Sequence, residues 1–99
     1  MALFIITAAR FGKDGEVVRV RWARADGVAN KFEEKLHEVE VDRVVEAFDR
    51  GDIVEMTFET THGSVSGGRL IRKVLPGGAE NVREERTQPG RTLHDLPTF

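Results

Sequence analysis

The chain contains no cysteine. Disulfides, thiolate metal sites and cysteine nucleophiles are therefore excluded together. A reducing compartment is compatible with that lack, and the cytoplasm is the expected location. No membrane span is expected either. The apolar opening, Met1-Ala2-Leu3-Phe4-Ile5-Ile6-Thr7-Ala8-Ala9, is too short to cross a bilayer and is not preceded by the basic residues of a secretory core. It reads as a buried strand. An excess of basic residues is also missing. Fifteen Lys and Arg against 17 Asp and Glu leave a net charge of −2 and a pI near 5.9. Phosphate affinity comes from surplus Lys and Arg, so nucleic acid is not the expected partner.

Several chemical motifs are absent as well. His37, His62 and His94 have no metal-ligand spacing among them, and a metal site needs three or four converging ligands. His62 and Ser64 straddle a tight turn, and no Gly-x-Ser-x-Gly elbow orients a nucleophile. Gly63-Ser64-Val65-Ser66-Gly67-Gly68 leads into a strand, whereas a phosphate cradle needs glycines that lead into a helix N-terminus. No repeat or low-complexity segment occurs. No catalytic residue, metal or cofactor is assigned.

What is present is one small domain. Ninety-nine residues, 39% hydrophobic and 32% charged, suit a globular chain with one modest core. The charge is unevenly placed. From Phe32 to His62 there are ten Asp or Glu against Lys35, Arg43 and Arg50, while both flanks are net basic. Such blocks either pair within the fold or meet across an interface.

Hydrophobic patterning places the elements. Residues 2–9 are apolar at both parities, with Leu3 and Ile5 on one face and Phe4 and Ile6 on the other, which requires cover on both sides. Glu16 to Arg24 alternates, with Val18, Val20 and Trp22 inward and Arg19 and Arg21 outward; the Asp14-Gly15 turn makes it a hairpin with the first strand. A polar loop runs from Asp26-Gly27 through Asn30, and residues 31–40 read as loop with at most a short edge strand. Val41, Val44, Val45 and Phe48 form one apolar stripe of a short helix, with Asp42 in its first turn, Arg50 in its last and Gly51 as a left-handed stop. Asp52 to Thr60 turns Val54, Met56 and Phe58 inward and Glu55, Thr57 and Glu59 outward. Thr61-His62-Gly63 turns into a partner strand from Ser64 to Leu75, where Gly67-Gly68 marks a bulge. After the Pro76-Gly77-Gly78 turn, a polar edge strand is centred on Val82.

The expected fold is α+β: a mainly antiparallel sheet of four or five strands with one short helix on one face, built from residues 1–86. Residues 87–99 form an irregular tail that Leu93 and Leu96 would anchor to the body. One narrow helix covers one face only, so the second face needs the tail, another subunit, or both.

Four segments resemble the domain of unknown function 3892 family of small, mostly bacterial proteins. They are Ile6-Thr7-Ala8-Ala9-Arg10, Val17 to Val20, Val44-Val45-Glu46-Ala47-Phe48-Asp49-Arg50-Gly51 and Leu93-His94-Asp95-Leu96-Pro97. The chain has Asn81 to Thr87 where the family pattern carries an aromatic-Leu-basic-Thr strand. The resemblance implies that the Leu93–Pro97 turn packs on the body, and it brings no assigned activity.

The functional expectation is a non-catalytic protein-interaction module that associates with itself as a homodimer through Leu3 and Ile5. The alternative is anion or nucleic-acid binding through Arg19, Arg21, Arg69, Arg72 and Lys73, if their strands lie side by side; the competing expectation pairs these cations with Glu55 and Glu59. A third reading is an enzyme or small-ligand binder without a recognisable motif.

Overall fold

The computed structural model describes residues 1–29 and 31–99; Asn30, the end of the expected polar loop, lies outside the described residues. In chain order the elements are β1 (Leu3–Phe11), β2 (Val17–Asp26), β3 (Lys31–Phe32), β4 (His37–Glu40), α1 (Val41–Asp49), β5 (Ile53–Thr60), β6 (Gly63–Val74) and β7 (Glu80–Glu84). They form one sheet in the order β3-β2-β1-β5-β6-β7, with β4 also beside β2. The α+β class and the single helix hold. The expected four or five strands are corrected to seven among the described residues, because β3 and β4 lie in the stretch read as loop. Two and four residues long, both are too short to show an alternation in sequence.

Among the described residues every pairing is antiparallel except β1 with β5, where Leu3 to Ile6 lie beside Ile53 to Met56. Parallel neighbours cannot be joined by a tight turn. Here α1 makes the return. Val44 and Ala47 are fully buried and Val45 nearly so, which seats the helix on the inner face of the sheet. Its end follows from Gly51, whose φ of +80° lets the chain reverse. Asp52 N–H then reaches the Ala47 carbonyl at 2.9 Å and Gly51 N–H the Phe48 carbonyl at 3.0 Å. That pair of bonds is a Schellman stop. Arg50 is the cap itself rather than a residue of the last turn, and its guanidinium goes to Asp52 at 3.0 Å.

The core joins Ile6, Val20, Val44, Val54, Met56 and Leu70, all less than 2% exposed, with Trp22 at 4%. One inward residue changes. A register shift between Arg10 and Phe11 puts Val17 in the core and leaves Val18 40% exposed, so the expected inward Val18 is replaced by its neighbour. In β6, Met56 faces Gly68 and Thr57 faces Ser66, leaving Gly67 as the extra residue of a bulge. The strand bends there. Its first half pairs with β5 and its second half with β7.

Beyond Ile6 the parallel pair comes apart, and the C-terminal tail enters the gap. Ala9 N–H donates to the Pro97 carbonyl at 3.0 Å. Leu93 and Leu96 are each 3% exposed and belong to the core. Thr92 and Asp95 close a capping box around the single 3-10 turn at Leu93–Asp95. The Thr92 backbone N–H, and then its hydroxyl, hold the Asp95 carboxyl below the usual carboxylate range. This contribution exists above the unfolded carboxylate's range and fades as pH falls through the depressed folded value, so acid loosens the tail.

Asp52 performs a similar task at the other end of the sheet. Its carboxylate, 8% exposed, accepts the Ala2 N–H at 2.9 Å, and Ile53 N–H donates to the Ala2 carbonyl at 2.8 Å. The Ala2 N–H, with help from Arg50, lowers the Asp52 pKa. Asp52→Ala is expected to cost about 2 kcal/mol near neutral pH. The gap from the unaltered chain should narrow as pH falls below about 4, where the unfolded carboxylate takes up its proton, and close once pH has passed the depressed folded value. Urea unfolding at a series of pH values measures both.

Candidate functional site

Side chains alternate across a sheet. Ile6 and Met56 point to the helix, so Leu3, Ile5, Glu55 and Thr57 point to the opposite, outer face. Ala25 and Ala23 stand beside Leu3 and Ile5 in register, and Phe32 stands beside Ala25. Leu3, Ile5, Ala25, Phe32, Glu55 and Thr57 floor a groove of about 350 Å³, walled by Asp26, Gly27 and Lys31 on one side and by Ser64, Val65 and Ser66 on the other. Leu3 and Ile5 are partly exposed, and Phe32 is 41% exposed. The groove carries both signs of charge, with Asp26 and Glu55 against Lys31.

Cover for β1 is therefore uneven. On the inner face Phe4 stacks on Trp22 with ring centroids 4.3 Å apart. On the outer face Phe99 lies beneath the guanidinium groups of Arg10 and Arg21, at 4.9 and 4.7 Å from its ring centre. The tail thus shields the Arg10 end of the strand. Among the described residues, none of the tail lines the groove over Leu3 and Ile5.

The candidate cationic stripe is broken up. β2 and β6 are separated by β1 and β5, so Arg19 and Arg21 do not neighbour Arg69, Arg72 and Lys73. Nor are Glu55 and Glu59 the main partners. Glu40 and Glu38 of β4 stand directly across from Arg19 and Arg21, at 3.8 and 3.2 Å. Arg24 meets Glu33 at 3.2 Å. Arg72 bonds Asp49 on the helix and lies 3.7 Å from Glu80, and Lys73 bonds Glu16 at 2.9 Å. Only Arg69 keeps an expected neighbour, standing across from Glu55 in register. The acidic middle of the chain largely answers its basic flanks within one fold. Each such exposed pair contributes about 0–1 kcal/mol, but together they occupy the cations a phosphate would need.

Among the described residues no group of three His, Asp or Glu is placed to hold a metal ion. No helix among them is long and apolar enough to cross a membrane. His62 and Ser64 do not meet; the Ser64 hydroxyl donates to Glu59 at 3.1 Å. A further concavity is a cleft where α1 and β4 flank the Phe4–Trp22 stack. Sequence reasoning did not find it, because its polar residues come from separate segments: Glu34 before β4, His37 on β4, Arg43 on α1 and Arg50 at its cap. No family model matches this chain, and no curated protein or solved structure shows significant similarity to it.

Proposed function

We propose that this chain is a non-catalytic protein-interaction module whose partner is a second copy of itself, docked through the outer groove. The carrying observation is the open floor of Leu3, Ile5 and Phe32 on the face that α1 leaves bare. A twofold interface must be complementary to itself. A groove with Lys31 on one wall and Glu55 on the floor meets that condition, since each copy offers both the acid and the base. The family resemblance belongs to the same proposal and adds no activity, and the cytoplasm is the location that suits it. Anion binding through Arg19, Arg21, Arg69, Arg72 and Lys73 is the weaker reading, because all but Arg69 would first have to leave a carboxylate and Arg69 stands across from Glu55.

Sedimentation velocity over a concentration series tests the proposal. The unaltered chain should sediment as a dimer, and Leu3→Glu with Ile5→Glu as a monomer with an unchanged far-UV spectrum. Charge reversal provides a second route that spares the apolar residues of the floor: Lys31→Glu or Glu55→Lys alone should weaken the dimer, and the two together should restore it. A monomer at every concentration for the unaltered chain overturns the reading.

A further inference from the structure

Independently of self-association, the structure assigns a small-ligand site to the cleft beside Trp22, and we propose that it takes a flat ring carrying one anionic group. The cleft encloses about 390 Å³ and is lined by Phe4, Trp22, Val39, Glu34, His37, Arg43 and Arg50. That volume lies within the range of about 300–1,000 Å³ for small-molecule sites. Its base is apolar and aromatic: the Phe4 ring, partly exposed, is stacked on a Trp22 that is itself almost fully buried. An offset ring laid on Phe4 would extend that stack.

The polar groups divide between two ends. Arg43 and Arg50 come from α1 and its cap, two helical turns apart and therefore on one side of the helix. Arg50 spends its Nε on Asp52, which fixes the guanidinium and leaves its terminal nitrogens for a further acceptor. Arg43 is loosely held, 3.7 Å from Glu46 with its side chain 70% exposed. At the other end, Glu34 already accepts the Arg24 backbone N–H at 2.8 Å. His37 faces the Lys35 carbonyl with Nδ1 at 3.1 Å; a carbonyl only accepts, so that nitrogen carries a proton. An anionic group is thus drawn to the arginines and away from Glu34, while the ring lies on the aromatic base. Guanidinium groups bind carboxylate and phosphate oxygens alike, so the shared chemistry is an oxyanion attached to a flat ring.

The chain has one tryptophan, so the cleft has its own reporter: a single indole N–H signal in an ¹⁵N correlation spectrum. Benzoate and adenosine monophosphate are titrated separately into the full-length protein, with cyclohexanecarboxylate and inorganic phosphate as controls. A saturable shift of the indole signal with either aromatic anion, and none with the controls, supports the site and tells a carboxylate from a phosphate. Arg43→Ala should weaken that binding about tenfold, and the exposed position and good helix propensity of alanine leave the fold intact. The proposal is overturned by no shift with either aromatic anion at low salt, or by an equal shift with inorganic phosphate. A shift that Arg43→Ala leaves unchanged also overturns it.

Discussion

Alanine in place of Gly67 should lower stability by about 3 kcal/mol and the melting temperature by roughly 15 °C. The reason is space rather than backbone freedom. A Cβ at that position would lie 2.4 Å from Cε2 of Phe58 and 3.0 Å from Cβ of Met56. The ring can swing aside, but the Met56 Cβ is fixed to β5 and cannot. Both neighbours belong to the stripe that seals the core, so relief at one point opens a gap at another. Gly68 next door fails for a different reason: no atom stands within 4 Å of its added Cβ, yet its φ of +92° is costly for any other residue. Two substitutions therefore separate the causes. Phe58→Leu should recover part of the loss from Gly67→Ala and none of the loss from Gly68→Ala. Thermal unfolding of the three single and two double variants decides this, and an equal rescue at both positions would refute the steric account.

That bulge was legible because two adjacent glycines interrupt an alternating strand and the inward set changes there. The helix was legible for a comparable reason: its stripe and its glycine stop are local signals. Other features depend on contacts between distant segments. Nothing around Val54 says that β5 lies parallel to β1, since the pairing is decided by α1 crossing the sheet. Val17 displaces Val18 because of a one-residue slip set by the β1–β2 hairpin. β3 and β4 are short edges whose acids, Glu38 and Glu40 on β4 and Glu33 just after β3, lie beside Arg21, Arg19 and Arg24. Ion pairing between strands leaves no hydrophobic period to read.

The groove and the cleft divide along the same line. Leu3 and Ile5 stand out because apolar residues at both parities demand two covers, and that demand is visible in nine residues. The cleft combines Trp22 of β2, His37 of β4 and Arg43 of α1. Each belongs to a segment with its own sufficient explanation: a core tryptophan, a short edge, a solvated helix face. Only their assembly suggests a ligand. Of the cations singled out in sequence, Arg19, Arg21, Arg72 and Lys73 are paired with carboxylates, whereas the loosely held Arg43 was not among those singled out.

The tail should prove the most separable part of the fold, and Leu93→Ala with Leu96→Ala is the variant that reveals it. Each truncation removes a side chain only 3% exposed, and on a core site each would cost about 2–5 kcal/mol. The location limits the sum. Residues 85–91 are exposed throughout, so the segment beyond them can lift away while the sheet stays paired. Once the first truncation makes the lifted state competitive, the second has little left to remove. The double variant is therefore expected to lose well under the sum of the singles, by denaturant unfolding. Hydrogen exchange gives the local counterpart. The Ala9 amide, held by Pro97 across the gap, should lose protection first, and amides where Leu3 to Ile6 meet Ile53 to Met56 should keep theirs. The Phe11 ring, stacked on His94 at 4.3 Å, should gain freedom along with Ala9. Additive losses with protection falling everywhere at once would instead make Leu93 and Leu96 part of a single cooperative core.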